Sequence, residues 1–279
     1  MLLLSCDDQP GIVAAVADFV FRHGGNVVHA DQHIDRESGQ FFQRVEFELD
    51  GFALARTEIE PALAPIFERF AMRHQLRFSD ESPRIAILVS KEFHCLQDLV
   101  NRWQLDELRG ELALVVGNHP GFERIVDHLG IEAHVLPVTP DTKPQQEAAI
   151  LELLDERDIE LVVLARYMQI LSPAFIATYP SHIINIHHSF LPAFVGGRPY
   201  HQASERGVKV IGATAHYATD VLDEGPIIEQ DVVRVTHRDT VDDLVRKGRD
   251  LERVVLARAV RAHLEHRVLV YGRKTVVFD

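Results

Sequence analysis

Residues 183–193 read Ile-Ile-Asn-Ile-His-His-Ser-Phe-Leu-Pro-Ala, an apolar run that turns polar where a strand would give way to a loop. In open α/β sheets ligands bind at the carboxyl ends of strands. Strand side chains alternate in direction, so Asn185 and His187 are expected on one face, with His188 pointing away. A carboxamide beside an imidazole is a working pair. The amide N–H can stabilise a developing oxyanion, and the imidazole can exchange a proton near neutral pH. A histidine at a strand end can equally be a satisfied structural group, so the catalytic reading needs a partner.

Residues 219–226, Thr-Asp-Val-Leu-Asp-Glu-Gly-Pro, offer one. Asp220, Asp223 and Glu224 stand beside a Gly-Pro turn, which by itself reads as a solvated acidic loop. A carboxylate brought against His187 would instead raise the imidazole pKa and fix its tautomer. The residues alone do not say which carboxylate does so. Further candidates are weaker. His187, His188 and His201 could ligate a metal, but adjacent strand residues on opposite faces cannot easily share one ion, so no metal is expected. His263 and His266 read as a packed or solvated pair on the last helix. Cys95 follows His94 at an expected helix start, a position that lowers a thiol pKa. Residues 196–199 read as a loop over the strand end, and Arg198 in it, with Tyr200 and His201 beyond, could reach a substrate. No Gly-x-Gly-x-x-Gly, Walker loop, Gly-x-Ser-x-Gly or His-Glu-x-x-His occurs, which leaves those nucleotide, esterase and zinc chemistries unsupported.

Two sets of elements must position these groups. In residues 1–80 the pattern predicts a strand at 1–6 and a helix carrying Ile12, Val13, Val16, Phe19 and Val20 on one face. Two strands follow at 26–35 and 40–49, the second with Arg44, Glu46 and Glu48 on its polar side. A second helix has Pro61 in its first turn and a kink at Pro65, and a last strand falls at 76–78. The order β-α-β-β-α-β is a ferredoxin-like unit. Residues 79–83, Ser-Asp-Glu-Ser-Pro, read as a linker. From 84 to 279, short apolar strands near 84–90, 112–117, 133–136, 161–165 and 182–187 alternate with helices at 95–105, 121–129 and 145–158. That alternation implies right-handed crossovers and a mostly parallel sheet. Strands at 208–217 and 227–235 and a helix at 240–266 complete the unit. The fold class is therefore α/β.

The chain has 279 residues and a net charge of −13, with no basic stripe, so a nucleic-acid backbone is excluded as the main ligand. No apolar run approaches the roughly 20 residues of a membrane span. The N-terminal leucines are followed by Asp7 and Asp8 without a basic leader, and the cysteines number two. Both features fit a cytoplasmic protein.

The quoted segments, with Gly-Gly-Arg-Pro-Tyr-His-Gln-Ala, Gly-Ala-Thr-Ala-His-Tyr and Leu-Asp-Glu-Gly-Pro-Ile-Ile, resemble those of formyltetrahydrofolate deformylases over nearly the whole chain. Residues 84–279 resemble the formyltransferase fold shared with glycinamide ribonucleotide formyltransferases. Residues 1–80, through Asp8-Gln-Pro-Gly-Ile, resemble a regulatory ACT domain. The resemblance implies hydrolysis of 10-formyltetrahydrofolate to formate and tetrahydrofolate, supplying formate and balancing one-carbon pools for purine synthesis. It places the catalytic Asn, His and Asp on Asn185, His187 and Asp223. The folate pocket falls around Leu164, Gln169, Ile170, Leu171 and His188, with Ala218, Thr219 and Asp220. It further implies an amino-acid effector such as glycine or methionine near Asp8, Gly11 and Ile12, a homo-oligomer, and no cofactor beyond the folate substrate. Gln169 stands where the ribonucleotide-using relatives carry Arg. Where those relatives hold a phosphate with a glycine-rich loop, this chain has Val-Ser-Lys-Glu-Phe-His-Cys-Leu, and His188 stands for their proline. A glycine-free loop with a carboxylate would repel a phosphate, which favours water as acceptor. The competing readings are an amino-acceptor formyltransferase and a non-catalytic amino-acid sensor.

Overall fold

The computed structural model describes residues 1–193 and 199–279. They divide into two units, residues 1–81 with 266–269 and 276–279, and residues 82–265 with 270–275. The expected single body at 84–279 therefore does not hold the last residues together: part of the C-terminal hairpin, β12 (Val268–Tyr271) and β13 (Lys274–Val277), groups with the first unit.

The first unit contains β1 (Leu2–Asp7), α1 (Ile12–Arg22), β2 (Val27–Asp35), β3 (Gln40–Phe47), α2 (Arg56–Arg69) and β4 (Arg73–Leu76). Its sheet order is β2-β3-β1-β4, with antiparallel pairs throughout. Leu2, Leu4 and Cys6 alternate into a core shared with Ile12, Val16 and Phe19 of α1 and with Ile59, Leu63 and Phe67 of α2. Val13 stays exposed. Three sequence expectations change. Helix α2 starts at Arg56, where Glu58 accepts from the Ala55 N–H at 2.8 Å, so Pro61 lies beyond the first turn and Pro65 does not end the helix. Strand β4 begins at Arg73 because Ser5 and Leu2 of β1 pair with Arg73 and Leu76. Arg44, expected on the polar side of β3, is buried with the rest of residues 41–45, and its Nε donates to the His266 carbonyl at 2.9 Å. The tail thus covers a face that the strand pattern alone assigns to water.

The second unit contains β5 (Arg84–Val89), α3 (His94–Gln104), β6 (Glu111–Gly117), α4 (Glu123–Val126), β7 (Glu132–Val135), α5 (Lys143–Asp155), β8 (Leu161–Ala165), α6 (Pro173–Thr178), β9 (Ile183–His187), α7 (Pro199–Arg206), β10 (Val210–Tyr217), β11 (Ile227–Arg234) and α8 (Val241–Leu264). Its seven strands run in the order β11-β10-β9-β8-β5-β6-β7. The run from β9 to β7 is parallel, and β10 and β11 are antiparallel. The first strand, β5, lies between β8 and β6, so the order reverses there and opens a crevice at the strand ends. Fully buried Ala86, Leu88, Leu114 and Val162 explain the unbroken apolar runs. Helix α8 is capped by Thr240, whose Oγ1 accepts from Asp243 N at 3.2 Å. The expected helix at 121–129 is only α4 and a following 3₁₀ turn, and α6, α7 and the hairpin are additional elements. Each is too short for hydrophobic periodicity to register. No helix among the described residues is long and apolar enough to cross a membrane.

His266 follows α8 with φ of 50° and belongs to the first unit. Burial, and then the Arg77 guanidinium, hold its imidazole down to about 4. The unfolded chain binds this proton below about 6.5, the native state only below about 4, so the stability is present above pH 6.5 and lost as pH falls toward 4. Asn tolerates the left-handed conformation. His266→Asn is expected to shrink the stability loss between pH 7 and pH 5 by on the order of 1 kcal/mol. Urea unfolding of both proteins at the two pH values measures it, and equal losses would remove His266 as the source.

Candidate active site

Strand β9 delivers Asn185 and His187 to the crevice, and β10 lies against it with His216 paired to Asn185 and Thr214 paired to His187. Asn185 Nδ2 is 3.2 Å from His216 Nε2, and His216 Nδ1 is 3.0 Å from the Tyr217 carbonyl oxygen. A carbonyl only accepts, so His216 donates through Nδ1, and its Nε2 faces both Asn185 and, at 3.7 Å, Asp223 Oδ1. His216 thereby fixes the orientation of the Asn185 carboxamide. His187 is held from two sides. Its Nε2 lies 2.8 Å from Ser189 Oγ, which is itself 2.7 Å from the Ala193 carbonyl oxygen. On the other side, His187 Nδ1 lies 3.3 Å from Asp223 Oδ1. A carboxylate only accepts, so the proton between them belongs to His187 Nδ1.

The Asp223 side chain is only 7% exposed, although its loop is largely in water. Burial opposes its charge, but the His187 and His216 imidazoles overcome that and hold the carboxyl far below the usual carboxylate range. The approach has a backbone cost, because Asp223 adopts φ of 57°. Gly225 permits the turn: a Cβ there would sit 1.7 Å from the Tyr217 carbonyl oxygen. Behind the site, fully buried Thr214 donates to the Ser189 carbonyl at 2.9 Å and accepts from Leu191 N at 3.1 Å. These bonds pin the turn that presents Ser189 to His187.

Asn185, His187 and Asp223 open onto a cavity of about 550 Å³. One wall is apolar, with Leu164, Met168, Ile170, Leu171 and Leu222, and is edged by Gln169, Ala218, Thr219 and Asp220. The opposite end is charged. There Glu252, 1% exposed on α8, accepts from His94 Nε2 at 2.8 Å and from the Tyr200 hydroxyl at 2.6 Å, with Arg166 Nε at 3.4 Å. Burial would raise the Glu252 pKa, but His94, Arg166 and Tyr200 lower it. His201 and His188 line the same cavity. The strand alternation expected to turn His188 away stops at His187, where β9 ends, and the rings of His187 and His188 stand 5.1 Å apart. Cys95 also differs from expectation. It is buried, and burial with Glu252 pushes its thiol well up, so it is no reactive thiolate. His94, Cys95 and Glu252 bring ligand-type atoms within 4.8 Å of one another, but Tyr200 and Arg166 already serve the carboxylate. His263 bonds the Tyr217 hydroxyl at 2.7 Å, and His266 lies past the helix end. Arg198 and the two glycines before it lie outside the described residues.

Three participants escaped the sequence reading: His216, Arg166 and Glu252. His216 was detectable as a polar residue on an apolar strand, but only the β9–β10 register gives it Asn185 as a neighbour. In the first unit, Asp8 and Gly11 are exposed and Gly11 begins α1 with φ of 98°. Ile12 is 2% exposed, so its side chain serves the core and not a ligand.

Two family models match the chain, formyl transferase over residues 83–260 and ACT domain over residues 1–62. A formyltetrahydrofolate deformylase of Synechocystis sp. is 60% identical over 99% of this chain and 97% of that protein. The crystal structure of a formyltetrahydrofolate deformylase from Pseudomonas syringae pv. tomato superposes with a TM-score of 0.97 at 48% identity, covering 100% of this chain and 93% of that one. A glycinamide ribonucleotide transformylase from Symbiobacterium toebii gives 0.68 at 33% identity, over 74% of this chain and 98% of its own.

Gly248 of α8 makes room for Tyr200, since a Cβ there would fall 2.0 Å from the Tyr200 hydroxyl oxygen. Alanine favours a helix over glycine by roughly 1 kcal/mol, whereas overpacking costs roughly 1–3 kcal/mol. The second effect is expected to win, so that Gly248→Ala lowers the unfolding temperature by several degrees. Differential scanning calorimetry decides the sign, and a stabilised variant would contradict this packing.

Proposed function

The chain belongs to the formyltetrahydrofolate deformylase family, and we propose that Asn185, His187 and Asp223 carry its reaction, the hydrolysis of 10-formyltetrahydrofolate to formate and tetrahydrofolate. The observation that carries this assignment is His187, buried between Asp223 and Ser189 beside an oriented carboxamide that lines the same cavity. The formyl oxygen sits between the second Asn185 amide proton and the His187 Nδ1 proton. The 3.3 Å contact to Asp223 is long for N–H···O, so an incoming oxygen can share that proton. Charge developing on the oxygen is met by donors already in place. Asp223 orients His187.

The pterin lies along the wall of Leu164, Ile170 and Leu171, with Gln169, Ala218, Thr219 and Asp220 at its polar edges. His188 faces the formyl end of the cavity. Water is the acceptor: Glu92, paired with Arg249 at 2.6 Å, places a carboxylate where a phosphorylated second substrate would need cations. These steps call on imidazole, carboxamide and carboxylate, and on no metal or redox cofactor. Formate release would supply and balance the one-carbon pool for purine synthesis. Two free, buried thiols fit a reducing cytoplasm.

The first unit is read as a regulatory ACT domain, residues 1–80, preceding the catalytic domain at 84–279. A small amino acid such as glycine or methionine would bind near Asp8 and Gly11, its carboxylate at the start of α1. Strand β2 is an edge strand with Val28 and Ile34 exposed, which suits pairing with a second copy.

Asp223→Asn is expected to lower kcat by roughly 100-fold or more, with far from additive effects when combined with His187→Ala. Formate release by a folded variant at the wild-type rate would take Asp223 out of the mechanism. Formate is expected from 10-formyltetrahydrofolate and water alone, at a rate that glycinamide ribonucleotide does not raise. Formyl transfer to the ribonucleotide with negligible formate in its absence would reverse the acceptor assignment. Glycine or methionine is expected to change the rate, and calorimetry showing no binding of either would reduce the first unit to an assembly module.

A further inference from the structure

We propose that His188 is the general base that takes a proton from the attacking water, and that the charged end of the cavity is where this water is held. The inference rests on the deformylase reading above and names the one role which that reading leaves unfilled. Water attacks a formyl carbon slowly unless a group beside it accepts a proton. Four other titratable groups of the cavity are committed. His187 engages Ser189 and Asp223 through its two ring nitrogens. His216 is engaged by Asn185 and the Tyr217 carbonyl through its two ring nitrogens. Asp223 is held far below the usual carboxylate range by its two imidazoles, which makes it a poor base. Glu252 already accepts from His94 and Tyr200.

His188 differs from all of these. It lines the cavity, its ring is 5.1 Å from that of His187 and 6.1 Å from that of Tyr200, and among the described residues its nitrogens have no hydrogen-bond partner. The groups that face it are Arg166 after β8, His187 on β9, Asp223 in the β10–β11 loop and Glu252 on α8. Burial first, then Arg166 and His187, lower its pKa to about 4 against the opposing pull of Glu252 and Asp223. At neutral pH the ring is therefore uncharged, with a lone pair available. Two adjacent histidines thus have different surroundings: His187 faces the Asp223 carboxylate, and His188 presents a lone pair to the cavity.

The step balances. The water oxygen bonds to the formyl carbon while one water proton passes to His188, and the carbonyl electron pair moves to the oxygen held by Asn185 and His187. The oxygen's electron pair then re-forms the carbonyl, the carbon–N10 bond breaks, N10 leaves with the pair of that bond, and His187 protonates it. Formic acid ionises and returns a proton to His187, and His188 releases its proton to solvent. The net products are formate, tetrahydrofolate and one proton.

The test replaces water by a nucleophile that needs no base. The full-length protein, His188→Ala and His188→Gln are given 10-formyltetrahydrofolate at pH 7.5, and formate is measured without and with hydroxylamine, formohydroxamate being read in the second case. Both variants are expected to lose roughly 100-fold in formate kcat with KM changed less than about threefold, while formohydroxamate formation falls less than about fivefold. Added imidazole should restore part of the formate rate in His188→Ala and leave the wild type unchanged. Retained hydroxylamine transfer shows that the variants are folded and that the oxyanion site is intact. Equal losses in both reactions, or no loss in either, would overturn the proposal. A wild-type chain that releases no formate at all would instead overturn the deformylase reading beneath it.

Discussion

A carboxylate kept out of water against an imidazole is the interaction on which the catalytic unit depends. Asp223 is buried at the tip of an otherwise solvated loop, and it stays ionised there because His187 and His216 compensate for the lost solvent. Everything that brings these groups together has a second task in the fold. The β9–β10 pairing places His216 beside Asn185, Gly225 lets the loop fold back on Tyr217, and Thr214 fixes the turn carrying Ser189. The left-handed backbone at Asp223 is a local cost accepted where the carboxylate meets its imidazoles.

The same logic repeats at the other end of the cavity. Glu252 is buried on α8 and answered by His94, Tyr200 and Arg166, each from a different element. Arg166, like Asp223, has a left-handed backbone. The cavity is thus bounded by two compensated buried carboxylates with an apolar wall at its side. A flat hydrophobic ring system fits the wall, and small polar reactants fit the space between the charges. Beside these groups Glu92, which also lines the cavity, pairs with Arg249.

How much of this was legible from the residues varies with the range of the interaction. The strands and long helices of both units follow from local periodicity, and Asn185 and His187 stand out because polar residues end an apolar strand. Local alternation failed at His188, because a strand's two-residue period stops where the strand stops. It failed again at Arg44, whose side chain is covered by the far end of the chain. Helices α6 and α7 are too short to impose a period. Cys95 looked reactive from its place near a helix start, yet burial beside Glu252 has the larger effect on its thiol.

The sequence by itself determined the α/β class, the two sets of elements, the strand that presents the amide and the imidazole, and a short acidic loop with three possible partners. These are consequences of side-chain spacing along one segment at a time. Only the tertiary structure decided that Asp223 is the carboxylate at His187, that His216 orients Asn185, and that His188 shares their cavity. Which proton sits on which nitrogen is set by acceptors contributed from other strands, turns and helices. The charge of a buried group depends on all of its neighbours at once, and those neighbours are distant in the chain.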